Sequence, residues 1–177
     1  PEELLQGDIE AILIFLRNTA FGPEYKFKLT DPDTDKQFEY TLMLDELYIK
    51  NTEQKPSEDG TFSVVLPKSG WTAKIKPLSF GDMTELDKLE QNFPSGRVAP
   101  KQTWKLNKMI VELDGKTDKS IIAQLVETIP ISDSKYIKKF VEENEPKLDL
   151  TRKIIASSGK ETTINIVFGV EFFRPFF

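Results

Sequence analysis

The spacing of apolar residues alternates along the chain between helical and strand periods. Residues 2–18 carry Leu5, Ile9, Ile12, Leu13 and Leu16 at helical spacing, with Glu2, Glu3 and Asp8 toward the N-terminal end, where the helix dipole favours them. They predict an amphipathic helix, followed by a Gly/Pro-marked break from Asn18 to Pro23. From Tyr25 the period becomes two: Tyr25, Phe27 and Leu29, then Phe38, Tyr40, Leu42 and Leu44, across the turn-forming run Asp31 to Asp35. A polar loop from Asn51 to Gly60 precedes a second hairpin, Phe62, Val64 and Leu66 against Trp71, Ala73 and Ile75. Asp82, with Glu85 three residues on, predicts the cap of a helix whose inner stripe is Leu86, Leu89 and Phe93. Trp104 to Leu113 reads as extended. Helices then follow over about 118–128 and 133–144, joined by a link short enough to make them antiparallel neighbours. A third hairpin pairs Leu150 to Ile155 with Thr163 to Phe168 around Ser157 to Lys160. The predicted class is α+β, a single domain of small antiparallel β-hairpins packed with about four short helices. Its organisation is an amphipathic N-terminal helix, residues 1–20, followed by an α+β body, residues 21–177.

The chain closes on Val170-Glu171-Phe172-Phe173-Arg174-Pro175-Phe176-Phe177. Ordering a terminus costs on the order of 1–2 kcal/mol per residue in backbone entropy, whereas burying four phenylalanines returns roughly 6–12 kcal/mol, so a docked tail is favoured. Pro175 cannot donate to a β ladder, so the tail leaves any strand near Phe173 and fills a groove on this chain or on a neighbour. Arg174, between the phenylalanine pairs, is placed to reach a carboxylate.

Composition narrows the chemistry. At 177 residues the chain is long enough to bury about 70% of its unfolded surface. It contains no cysteine and no histidine, which removes disulfide scaffolds, thiol catalysis, Cys-ligated zinc and the usual nucleophilic triads. The net charge of −5 disfavours a nucleic-acid surface as the main role. The apolar run from Ala11 to Leu16 is too short to span a membrane, and the expectation is a soluble intracellular protein with no membrane partner.

Several segments imitate known sites. Asp31, Asp33 and Asp35 alternate like the start of a calcium loop, but Lys36 stands where the turn glycine belongs and Leu42 where the bidentate acid belongs, so an acidic hairpin turn is the better reading. Ser157 to Thr162 imitates a phosphate loop, yet the leading glycine position is Ile154 and a β-branched run follows instead of a helix. Lys68, Lys74 and Lys76 near Trp71, and Lys135, Lys138 and Lys139 near Tyr136, outline a single-strand nucleic-acid surface. Solvated faces explain them more simply. The carboxylate pairs Glu142 with Glu143 and Asp45 with Glu46 give no reason to select a glycosidase-type site. No catalytic, metal or cofactor residue is assigned, and the chain is read as no enzyme.

Leu16-Arg17 leading into Phe21-Gly22-x-Glu24-Tyr25-x-Phe27, the turn Thr30 to Thr34, Leu66-Pro67-x-Ser69-Gly70, Ile129-Pro130-x-x-Asp133-Ser134-Lys135-Tyr136-Ile137 and the aromatic ending together resemble the baseplate hub subunit and hub assembly proteins of T-even-type contractile-tailed phages. The resemblance spans nearly the whole chain. It implies a structural or assembly role in the tail's central hub, in the virion's tail baseplate after assembly in the host cytoplasm, with other tail proteins as partners in a symmetric multi-subunit assembly. Some members carry paired cysteines suited to zinc in their hairpin loops, whereas this chain has none. The interface expected on this basis comprises Ile9, Leu13 and Leu16 of the helix, Pro130, Asp133 and Tyr136, and Phe172, Phe173, Arg174, Phe176 and Phe177 of the tail. The competing readings are a transient assembly chaperone absent from the finished particle and a single-stranded nucleic-acid-binding module.

Overall fold

The structure is a computed structural model, and it describes residues 1–168 and 170–173. Its class is α+β, with an N-terminal helix and small antiparallel sheets, as the pattern of apolar residues predicts. Within it the contacts gather into two compact units. Unit 1 takes Pro1–Gln6 and Asn51–Pro146, and unit 2 takes Gly7–Lys50 and Lys147–Phe177.

Unit 2 holds the N-terminal helix, α1 (Gln6–Phe21), and two hairpins, β1 (Glu24–Thr30) with β2 (Gln37–Met43) and β6 (Thr151–Ile155) with β7 (Glu161–Asn165). The first hairpin follows its alternating pattern, with Tyr25 opposite Leu42, Phe27 opposite Tyr40 and Leu29 opposite Phe38. In the second, Thr151 faces Asn165 and Ile155 faces Glu161. Ile14, Tyr25, Leu42, Leu44, Ile166 and Phe172 form the core of this unit. The entry and exit of the unit are joined where Ile49 bridges Leu148 and the Lys50 N–H donates to the Lys147 carbonyl at 2.8 Å.

Unit 1 is built on a three-stranded antiparallel sheet in the order β3 (Phe62–Val65), β4 (Thr72–Ile75), β5 (Ile110–Leu113). Four helices accompany it: α2 (Phe80–Gln91), α3 (Lys101–Met109), α4 (Lys119–Thr128) and α5 (Ile131–Asn144). Phe62 pairs with Ile75 and Val64 with Ala73, as their alternation predicts. Leu66, Leu106, Leu113, Ile122, Ile137 and Phe140 pack with these strands in one core.

Three sequence expectations are corrected in unit 1. Residues 101–109 form a helix, not a strand, because a period of two starting from Trp104 would put Lys108 on the core face, whereas helical spacing buries Leu106 and Met109 and sets Trp104 against Phe93 with ring centroids 5.6 Å apart. The cap of α2 is Ser79, not Asp82. Ser79 Oγ accepts from the Asp82 N–H while the Asp82 carboxylate accepts from the Ser79 N–H, a reciprocal capping box one turn earlier than the sequence reading. Of the predicted inner stripe, Leu86 is buried, Phe93 is half-buried and Leu89 is exposed.

The N-terminal helix starts later than predicted because residues before Gln6 serve a different purpose. They lie along the start of α2, where the Phe80 N–H donates to the Leu4 carbonyl at 2.8 Å and the Gly81 N–H to the Glu2 carbonyl at 2.9 Å. A Cβ at Gly81 would stand 2.8 Å from Glu2 Cβ, so only glycine allows this approach. Among the described residues no helix is long and apolar enough to cross a membrane.

Candidate interaction surface

The side of α1 that packs inward is set by Gly7, Ile14 and Arg17, all buried. Successive residues of a helix turn by 100°, so Ile9, Ile12, Leu16 and Ala20 fall on the opposite side, with Leu13 at one border and Phe15 at the other. Ile9 and Leu13 are half-buried, whereas Ile12 is 44% exposed, Leu16 51% and Phe15 68%. The helix therefore presents an apolar surface away from the core it closes. Sequence reading placed Leu16 on this surface but missed Phe15. The available signal was the continuous run from Ala11 to Leu16, which no single helical face can accommodate.

Arg17 fixes this helix to the rest of unit 2. Its Nε donates to the Phe172 carbonyl at 2.9 Å, and its two terminal nitrogens donate to the carbonyls of Gly22 at 3.0 Å and Glu24 at 3.2 Å. The guanidinium also lies over the Phe21 ring, 4.8 Å from the centroid. Phe172 is fully buried, edge-on to Tyr25 at 5.1 Å and tilted against Phe168 at 4.5 Å. It belongs to the core of this chain, while Phe173 beside it is 39% exposed. Arg174, Phe176 and Phe177 lie outside the described residues.

Two imitations of ligand sites prove to be partners of each other. Asp31 is fully buried; its carboxylate accepts from Ser157 Oγ and the Ser158 N–H, both at 2.7 Å, from Ser158 Oγ at 3.0 Å, and from the Asp33 N–H at 3.0 Å. Lys160 adds an ion pair to Asp33 at 2.6 Å. The calcium-like turn is thus bonded to the phosphate-loop-like turn, and the two hairpins of unit 2 are clasped at their tips. Among the described residues no group of three or more acidic side chains converges to hold a metal ion.

The Ser157 hydroxyl, foremost, and the N–H groups of Asp33 and Ser158 hold the Asp31 carboxyl well below its ordinary value of 3.8, against the opposing effect of burial. A carboxylate with a depressed folded-state pKa contributes stability above its unfolded value and loses that contribution as pH falls toward the folded one. Thermal midpoints measured from about pH 6 to about pH 2 should therefore fall for the native chain once the pH drops below the ordinary carboxylate range. Asp31→Asn should start lower and show a shallower fall over the same window. Parallel curves for the two proteins would show that the clasp is not the titrating element.

The other predicted interface residues belong to unit 1. Pro130 is the N-cap of α5, and its carbonyl accepts from the N–H groups of Asp133 and Ser134. Asp133 is fully buried and accepts from the N–H groups of Lys68 at 2.8 Å and Ser69 at 2.9 Å, anchoring the β3–β4 turn to the first turn of α5. Tyr136 is half-buried on the core with its ring centroid 6.0 Å from that of Phe140. Trp71 packs against the same core, so neither aromatic of the two lysine-rich segments is presented as a free stacking platform.

The chain is thus an α+β protein with buried polar clasps and an apolar helix face turned away from its own core. More particularly, a family model described as T4 bacteriophage base plate protein matches residues 1–174, and the chain belongs to that family. No curated protein and no solved structure matches it. Membership makes the chain a bacteriophage baseplate protein, located in the tail of the virion among other tail proteins, and points to a structural role in place of catalysis.

Proposed function

We propose that this baseplate protein is a hub-region structural subunit that holds neighbouring tail proteins by direct contact and stays in the mature particle. The observation that carries the reading is the apolar face of α1, formed by Ile9, Ile12 and Leu16 and bordered by Phe15 and by Leu13, which also packs on the core of unit 2, opposite the side the helix uses for that core. A helix apolar on both sides is covered on both sides in its working state. Phe173 extends the candidate contact surface of unit 2, while Phe172 supports it from within. Pro130, Asp133 and Tyr136 contribute by fixing the start of α5. The hub location and the symmetric setting rest on the resemblance of the short segments described above.

The test is a charge placed on the exposed face. In the double variant Ile12→Asp with Phe15→Asp, both side chains already meet solvent, so the isolated chain should fold with an unchanged melting curve. Its incorporation into baseplates should drop about tenfold or more, because each buried apolar side chain contributes on the order of 1.5 kcal/mol to a contact. Quantitative mass spectrometry of purified virions reads the copy number. Wild-type incorporation of the variant would overturn the α1 reading, and absence of the native chain from virions would identify a chaperone that departs before completion.

A further inference from the structure

Unit 1 contains a groove of about 780 Å³ between α2, α3 and α4, with β5 at its base. Its apolar lining comes from Leu86, Leu89, Trp104, Ile110 and Ala123. The polar groups around it are unequally satisfied. Asp82 already receives Lys76 at 3.0 Å and Lys108 at 3.7 Å, Lys108 also reaches Glu85 at 2.5 Å, and Asp59 accepts from the Thr61 N–H and hydroxyl. The acids near the groove are thus occupied from within. One lining group is not: the exposed Lys119 ammonium has no ion-pair or hydrogen-bond partner among the described residues. Lys119 sits in the first turn of α4, where the helix dipole also favours an anion over a cation.

We propose that this groove binds an extended, acidic and apolar segment of another tail protein. The segment supplies a large apolar side chain to the Trp104 wall and a carboxylate to Lys119. Both answer what the groove offers: apolar surface open to solvent and a cation with no partner of its own. A nucleic-acid strand fits less well, because Lys76 and Lys108 are already paired with Asp82 and Glu85, and Lys119 alone is too little positive charge for a phosphate backbone laid along the groove. The site lies in unit 1, and α1 from Gly7 onward lies in unit 2, so it is a second docking place and does not depend on the α1 reading.

The full-length chain, fluorescently labelled, is applied to an array of overlapping peptides that tile the tail proteins of the same phage, and the peptides that bind are measured by fluorescence polarisation. Acidic, apolar peptides should bind, Lys119→Glu should weaken them about tenfold, and Ala123→Arg, which fills the groove, should abolish binding. Both variants should melt as the native chain does; a variant that does not is replaced by Val111→Arg on the groove's exposed lining. Val167→Asp, at an exposed position of unit 2, should leave peptide binding unchanged. Absence of binding peptides, binding indifferent to Lys119→Glu and Ala123→Arg, or tighter binding of a thymidine oligonucleotide than of any peptide would each overturn the proposal.

Discussion

Arg17→Met should detach the C-terminal segment of unit 2 from its core. The arginine donates to three backbone carbonyls, one of them at Phe172, and methionine fills similar space but donates nothing. Acceptors left without a donor in a buried setting cost about 1–3 kcal/mol each, partly recovered where water can enter, so a net loss of about 3 kcal/mol is expected. That is a large part of the stability of a small unit. Arg17→Lys should recover little, since an ammonium is a point charge and cannot serve three carbonyls spread across the guanidinium fork. Loss of the Phe172 bond also loosens a ring that is fully buried against Tyr25 and Phe168. Proteolysis should then cut near Phe172 and Phe173 much sooner in the variant, and amide exchange at Tyr25 and Leu42 should accelerate while exchange in unit 1 stays as it was. A variant that melts within about 0.5 kcal/mol of the native chain would show that the carbonyls find other partners. The same geometry changes how a tail truncation is read. Removing everything after Glu171 removes Phe172, a core residue, so failed assembly after such a truncation reports on folding as much as on contact.

The hairpins were legible because each buries one face, and a buried face forces alternation. Tyr25, Phe27 and Leu29 and their partners on β2 were found in register, as were Phe62 and Val64 against Ile75 and Ala73. The helix α3 was misread because its apolar residues are few and its polar ones are amphipathic in length; Trp104, Leu106 and Ile110 also satisfy a period of two as long as Lys108 is ignored. The capping residue of α2 was missed by one turn, since Ser79 and Asp82 form the box together and either can open a helix in isolation. What no local pattern reveals is long-range pairing of polar groups. Asp31 and Ser157 lie 126 residues apart, and nothing in either turn names the other. For the same reason nothing in the segment around Arg17 marks it as the residue that fixes the aromatic segment, since its partners include a carbonyl 155 residues away. The α1 face stood between these cases: the apolar positions were visible, but which side meets the core is decided by Ile14 and Arg17, through tertiary contacts alone.

Asp133→Ala should have in unit 1 the effect that Arg17→Met has in unit 2. Burial pushes the Asp133 carboxyl up, but the N–H groups of Lys68 and Ser69 and the nearby Lys68 charge outweigh it, and the group is held below its ordinary value. It is therefore a carboxylate near neutral pH, and both of its oxygens are used. Alanine leaves two backbone N–H groups of the β3–β4 turn without an acceptor and removes the link between that turn and α5. Hydrogen bonds to a charged group are worth about 1.5–3 kcal/mol, so a loss of about 3 kcal/mol is expected for the pair. Asp133→Asn separates charge from geometry. One amide oxygen can still accept, but the amide nitrogen then faces a second N–H donor, so the variant should fall between alanine and the native residue. Because the native pKa is depressed, the advantage of the native chain over Asp133→Asn should be complete above the ordinary carboxylate value of 3.8 and shrink as pH drops below it. Calorimetry across that range, with amide exchange at Lys68 and Ser69 as the local readout, decides the matter. Equal stability of all three proteins would mean that the turn is held by the adjoining strands β3 and β4 alone, and that Asp133 is buried for reasons other than anchoring α5.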